Sequence, residues 1–527
     1  NTRLESSMGH SDKWNDTVAF APKVEYKRRD LTLTAAGGYS RSTTHYEDRR
    51  SGYWASTNNW ITRMSWSARR SSPTSPDWQF SRVSGPDWTD PASYNRSDAN
   101  ANNIGTAERT GRSQVWSGGL DAKQVLNLGI PVTVGAGLKS RLTVYDLWKT
   151  GSLTWTYVGP AGSQLAPGTV MLFHPPTPGL YDPKQGDNVA ALNLPVANAT
   201  AMYELYGRHP EYFAENTYGN FVQLYTSPRA AKEQVDAGYV ELNGRWNQLR
   251  LNLGVREERT RTVGRNFDLR PAAQVRAAGY TANTIPYVVY QYRGFERSNK
   301  YGGYDNTFLS GGAKYSLGRN LVLQLSASQA IGRPDYNNVA GAITINDTNQ
   351  TIRIPNPDLK PDNVFATELR AERRFEGGRA QVALFNDDVH DAIISQFLPL
   401  VAGSSTLYSY LSNVDHVRST GVELLGGVSD VLVEGVDLSA SVTYLDARVL
   451  ALRGRASATA DADAAVGKFL PNIPRWRGTF AATWRPAAPA SISLAGRYSG
   501  PLYTTLDNAD VRRLKQDPQV LIVEADS

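Results

Sequence analysis

Two stretches of this chain concentrate the side chains that could hold a ligand. Residues 146–235 carry Trp155, Tyr157, His174, Tyr203, Tyr206, Tyr212 and Tyr218, and residues 260–304 carry Tyr287, Tyr290, Tyr292, Arg293, Phe295 and Arg297. Aromatic rings beside guanidinium groups suit an anionic chelate or a stacked sugar ring. The expected ligand contacts are therefore Trp155, Tyr157, Tyr206, Tyr212, Tyr287, Tyr290, Tyr292, Arg293, Arg297 and, further along, Tyr336. The competing reading is that these tyrosines pack on one another and at a lipid interface. Six histidines (His10, His45, His174, His209, His390 and His416) show no His-x-x-x-His spacing, so no metal site is expected. The run Asn386-Asp387-Asp388-Val389-His390-Asp391 has the residue types of a cation loop or of a polar strand end. No Gly-x-Ser-x-Gly elbow sits between a strand and a helix pattern. There is no cysteine, which removes disulfides, thiolate metal sites and a thiol nucleophile. No catalytic residue, no cofactor and no enzyme activity are expected.

Loops of this length need a rigid frame, and the frame reads as strands. Leu438, Ala440, Val442 and Tyr444 alternate with Asp437, Ser439, Ser441 and Thr443, giving one apolar face and one wet face. The same period-2 pattern recurs in Leu321–Ser328, Leu249–Arg256, Ser491–Tyr498 and Leu31–Ser40. These runs are nearer ten residues than the ~5–6 of a soluble sandwich strand. Mean hydropathy is −0.43, and no window approaches the ~18 consecutive apolar residues of a membrane helix. A membrane strand needs only ~9–11 residues with one apolar face, so a polar average is compatible with a barrel in lipid. Twelve Trp and 27 Tyr would suit its interfacial girdles. The net charge of +6 (56 Lys+Arg, 50 Asp+Glu) is spread without a basic block, so no nucleic-acid partner is expected.

Connections alternate between short and long. Short ones are read at Leu126–Pro131, Asn243-Gly244, Gly318-Arg319-Asn320, Glu376-Gly377-Gly378 and Pro486–Pro489; long ones cover 146–235, 260–304, 331–363, 387–417 and 448–475. The expectation is an all-β fold: a large antiparallel transmembrane β-barrel of roughly 16 strands, with short periplasmic turns and long extracellular loops. Residues 42–113 are too irregular to parse into strands.

Against this frame a series of fragments resembles the barrel of the TonB-dependent outer-membrane receptors. They are Ser326–Pro334, Asn356-Pro357-Asp358-Leu359-Lys360-Pro361 with Glu368 after it, Ala383–Asn386 leading to Asp391-Ala392-Ile393, Asn413 before Ser419–Glu423, and Ile473-Pro474-Arg475-Trp476-Arg477-Gly478. Their order and spacing carry the resemblance, closely over 305–508 and by strand pattern alone over 114–304. The two prolines flanking Leu359-Lys360 cannot join a ladder and force an extended entry into the next strand. Glu368 and Glu423 would face the lumen.

The resemblance implies an importer in the Gram-negative outer membrane, with a barrel closed by an N-terminal plug whose TonB box is pulled by the TonB complex. Its implied ligand is a ferric siderophore or another small, scarce ligand, and its surroundings are outer-membrane lipid. Oligosaccharide uptake through the same machinery, or a passive porin-like barrel, is the alternative; a soluble glycan-binding β-protein is a third class. No plug-like segment or TonB box is read in the chain, because strand alternation starts by about Val18. The expected organisation is a barrel over 1–510, incomplete, followed by an atypical tail over 511–527 in which Val520–Ser527 resembles the first strand of a receiver domain more than a closing barrel strand.

Overall fold

The computed structural model describes residues 4–9, 11–61, 63–71, 78–90, 93, 102–160, 173–174, 196–270, 272–340, 344–346, 351–353, 356, 359–399, 407–431, 433–452, 466–487, 490–503, 508, 511–512 and 522–525. Most of these residues are strand. The wall opens with β1 (Asp12–Phe20) and β2 (Lys23–Arg28), which lie end to end on the same edge of β3 (Leu31–Glu47). They are one strand interrupted at Ala21-Pro22: proline offers no N–H to the ladder, while its carbonyl still accepts from Gly37 N at 3.0 Å. Antiparallel pairing then continues through β4 (Glu108–Asn127), β5 (Pro131–Gly151), β6 (Arg229–Trp246), β7 (Leu249–Phe267), β8 (Arg297–Leu317) and β9 (Leu321–Gly332). It goes on through β10 (Asp362–Phe375), β11 (Gly378–Pro399), β12 (Leu407–Val428), β13 (Val436–Leu452), β14 (Trp476–Ala487) and β15 (Ala490–Ser499) to β16 (Ile522–Ala525). The sheet curls into a barrel.

The pleat sorts the side chains as the alternation predicts. Val240, Leu242 and Trp246 of β6, Leu251, Leu253 and Val255 of β7, and Leu309, Tyr315 and Leu317 of β8 are exposed on the outer face. Above Val255 the same face turns to Glu257, Arg259 and Arg261, and above Leu309 to Thr307 and Asp305. The apolar band is thus about nine residues tall, the height that spans a bilayer's hydrocarbon. At its outer edge sit Tyr39 against Trp116 (ring centroids 5.4 Å) and Tyr444 against Trp476 (4.8 Å); Trp246 and Trp484 mark the other. No helix among the described residues is long and apolar enough to cross a membrane, which says nothing about strands.

Two details of the expected layout change. Asn243-Gly244 is strand, paired with Leu251 and Asn252, and the turn lies at Asn247-Gln248, where Asn247 takes φ 51°. Asn and Gly signal turns by tolerating left-handed backbone, but here the Asn four residues on supplies it. The stretch 387–417 is mostly strand as well, because β11 and β12 go on pairing above the membrane up to Pro399 and Leu407. The other short links hold at Gly318–Asn320 and Glu376-Gly377, where Gly318 and Gly377 have φ of 62° and 72°. Pro486–Pro489 falls partly outside the described residues. Residues Ile522–Ala525 of the expected tail pair with β15.

Within the irregular stretch 42–113, residues 42–47 and 108–113 continue β3 and β4 of the wall, and Ser56–Ile61 and Asn102–Gly105 join a cap. Leu4–Gly9, Ser56–Ile61, Asn102–Gly105, Thr154–Tyr157 and Phe213–Glu215 make a separate five-stranded sheet, packed against helix α1 (Ala199–Arg208). Asn198 caps α1 by accepting from Ala201 N at 3.0 Å. Helices α2 (Thr217–Thr226), α3 (Ala272–Ala277), α4 (Ile285–Gln291) and α5 (Tyr336–Ala340) complete the loop layer.

Candidate functional site

The loop aromatics divide into a core and a rim. Trp54, fully buried, is surrounded by Trp155 (5.0 Å), Tyr206 (5.1 Å), Tyr203 (5.6 Å) and Phe213 (6.4 Å). Trp155 and Tyr157 are buried with Ile104 and Met202 in this cluster, and Tyr206 and Tyr212 pack against it half-exposed. The ring contacts are edge-on or tilted, the favourable arrangements for aromatic pairs. Trp155 and Tyr157 therefore hold the cap together, and of the four expected contacts in the first stretch Tyr206 and Tyr212 are the two with surface to offer.

The second stretch forms another aromatic nest. Tyr292 packs edge-on against Phe267 (5.1 Å) and stacks with Phe295 (5.7 Å), which stacks on Tyr225 of α2 (4.9 Å). Burial raises the Tyr292 phenol to about 12. Arg297 lies 4.3 Å over Phe267 and donates to the Tyr225 carbonyl at 3.1 Å; burial lowers its pKa from the ordinary value. Tyr287 is buried as well. Nearer solvent, Tyr290 is sandwiched between Tyr280 (4.6 Å) and the Arg270 guanidinium (4.1 Å), and Arg293 is exposed. Arg270 and Tyr280 were not among the expected contacts; aromatic–arginine composition alone could have included them.

Below the loops the lumen face carries a polar network. Glu258 of β7 is held by Arg256 (2.7 Å) and by Arg333, which follows β9 and also donates to Thr260 Oγ1 (2.9 Å) and Tyr304 Oη (3.1 Å). Glu233 of β6 accepts from Arg141 (3.3 Å) and, at 3.5 Å, from Tyr336 of α5, whose ring stacks on Tyr145 (5.9 Å). Burial and the Glu233 charge raise the Tyr336 phenol. Tyr336 is thus the expected contact that lies inside the barrel mouth, while the others lie in the loop layer. Glu368 and Glu423 stand on the face opposite the exposed Leu369 and Leu424, with Glu368 paired to Arg370 (2.8 Å).

The fragments read from sequence acquire structural jobs. Asn413 donates to Lys360 O (2.7 Å) and Asp391 O (3.0 Å) and accepts from Lys360 N (2.9 Å), clamping the loop that contains buried Leu359 onto β12. Gly421 lets Phe385 lie across the strand: a Cβ there would sit 2.4 Å from the ring and 2.5 Å from Tyr444 O. Trp476 stands in the outer girdle, with Arg475 stacked over Tyr444 (5.3 Å) and Phe469 (4.7 Å).

A barrel with an apolar outer band, short turns at one end and a folded loop layer at the other agrees with the sequence profile of one family. The profile described as TonB dependent receptor-like, beta-barrel matches residues 7–522. The chain belongs to the TonB-dependent receptor family. This receptor is a Gram-negative outer-membrane protein, and its family transports ligands rather than transforming them. The solved structures it resembles include the ferric-catecholate import receptor Fiu of E. coli K12 in its closed form, with 14% identity, a TM-score of 0.53, and coverage of 94% of this chain and 54% of that one. The unliganded ferric citrate transporter FecA matches at 10% identity and TM-score 0.50, covering 94% of this chain and 50% of its own. The siderophore receptor PiuA of Acinetobacter baumannii matches at 13% and 0.50, covering 97% and 69%. At such identities the likeness is one of fold. The receptor chain spans about half the length of the first two and 69% of the third. No curated protein matches it in sequence.

Proposed function

We propose that this receptor takes up a ferric siderophore in a TonB-dependent manner. The observation that carries the reading is the loop layer itself, where Tyr290 is held between Tyr280 and the Arg270 cation beside exposed Arg293. A planar aromatic surface with fixed positive charge suits an anionic iron chelate, which gains both stacking and charge complementarity. The half-exposed Tyr206, Tyr212 and Tyr336 are the further contacts proposed, with Arg297 and the buried Tyr287, Tyr292, Trp155 and Tyr157 shaping the surface behind them. Traction by the TonB complex on a plug would open the path, and the network around Glu233 and Glu258 offers that plug a polar wall to slide against. The test is uptake of iron supplied as catecholate, hydroxamate and citrate chelates by cells lacking and carrying the intact gene, with transcription followed under iron starvation. Restored uptake of one chelate, lost in an Arg270→Ala/Arg293→Ala variant, is the expected result. Absence of any iron response would sink the siderophore reading and turn attention to oligosaccharides.

A further inference from the structure

Three potential ligand side chains of β11 and β12 meet on the outer face of the barrel, just above the apolar band. Asp388 and His390 alternate on β11, and His416 lies directly across from His390 in the ladder. All three share the face of exposed Leu384 and Leu424, so they look outward and not into the lumen. The two imidazole rings are stacked at 4.1 Å with planes 17° apart. His416 Nε2 is at hydrogen-bond distance from Asp388 Oδ1, and His390 Nε2 lies 3.6 Å from that same oxygen, too far for a hydrogen bond. The three donor atoms lie within 4.8 Å of one another.

The backbone is shaped to bring them together. The ladder slips at His390/Ala392, where Asp391 takes φ 57°, and again between β12 and β13 at His416/Val417. Bulges of this kind re-aim side chains. Asp388 is steadied from behind: its second oxygen accepts from Arg418 at 2.8 Å, leaving Oδ1 for the histidines. The neighbouring Arg448 is already matched by Asp446 at 2.7 Å.

We propose that Asp388, His390 and His416 bind one first-row divalent cation of the zinc, nickel or copper type from the external medium. Two imidazoles and a carboxylate match the ligand preference of these ions, and three protein ligands leave a coordination position for water or an outside anion. A cation about 2.0–2.1 Å from each donor spans donor separations of about 3.3 Å, close to the 3.6 Å between His390 and Asp388. Binding requires only that His416 draw back from the carboxylate and the two rings splay to converge. The Asp388–Arg418 pair would then orient the carboxylate ligand, as hydrogen-bonded partners outside a metal's ligand set commonly do. The cation would tie β11 to β12 where their hairpin rises above the membrane. This assignment is independent of the cargo.

The full chain, purified in detergent and stripped with a chelator, would be titrated with ZnCl2 and NiCl2 by calorimetry, with heat-modifiable electrophoretic mobility as the check on folding. Saturable binding of one cation is expected, weakened at least about tenfold in His390→Asn and in His416→Asn, and unchanged in His209→Asn, whose ring stacks on Tyr212 elsewhere. Asp388→Asn should weaken it less than either histidine variant, since the amide oxygen remains a ligand. Equal affinity in the wild type and both histidine variants, or no saturable binding in a folded chain, would overturn the assignment.

Discussion

Tyr292 shows what one side chain contributes to the loop layer. It is 2% exposed between Phe267 and Phe295, and its phenol is raised from 10.0 to about 12, first by burial and then by the nearby Tyr218. Tyrosine is an acid, so between those two values the native chain keeps a proton that the unfolded chain has released. The stability it contributes is fully present below pH 10.0 and is lost as pH rises through about 12. The shift corresponds to roughly 2–3 kcal/mol. Ultraviolet titration of tyrosinate should show a late-ionising phenol that disappears in Tyr292→Phe, and that variant should keep its loop packing at alkaline pH better than wild type. An identical alkaline transition in both would count against this account. At this scale the sequence was legible in type but not in place. The run 260–304 announced aromatic and arginine side chains, yet nothing linear separates buried Tyr287 and Tyr292 from the more accessible Tyr290, because the rings packed on Tyr292 are Phe267, 25 positions back on β7 (292 − 267), and Phe295, which is itself covered by Phe221 and Tyr225 of α2. His390 and His416 escaped for the same reason: ladder partners 26 positions apart in sequence (416 − 390) show no ligand spacing.

Among the elements, the cap is the one that depends least on the membrane. Its sheet draws strands from five distant places, and α1 closes it over Trp54. No period-2 run of ten residues marks those strands, because each is only three to six residues long; that is why 42–113 did not parse. The barrel strands did parse, since each must repeat the same in–out choice across the whole hydrocarbon layer. Removing the central ring separates the two units. Trp54→Ala deletes a fully buried indole that touches four other aromatic residues, a change that costs about 3–5 kcal/mol. A sheet of short strands has little else to offset that loss. We expect external protease to cleave within 48–107 and 152–228 in whole cells carrying the variant, while the barrel keeps its heat-modifiable mobility. A cap as resistant as wild type would mean that the Trp54 cluster is not its core.

For the molecule as a whole, the decisive property is which face of the wall meets lipid. Residues 252 and 253 are neighbours on β7, in the middle of the apolar band, and point to opposite sides: Leu253 is 61% exposed on the outer face beside Leu242 and Gly311, while Asn252 looks inward toward Gly312. A soluble barrel would tolerate arginine at Leu253, because that position would be in water. In lipid the guanidinium must be buried in hydrocarbon, which costs about 2–4 kcal/mol near the midplane of an outer-membrane barrel. Arginine at 252 meets the polar lumen and costs little by comparison, apart from crowding at Gly312. Leu253→Arg should therefore lower the yield of folded barrel in the outer membrane and its thermal midpoint in lipid vesicles, with Asn252→Arg much nearer wild type. The order should vanish in a water-soluble state, so equal effects of the two substitutions in lipid would contradict the assignment of the outer face. The comparison relies on neighbours one residue apart, so chain length, strand count and cargo are the same in both arms, and only the environment on each side of the wall can separate them.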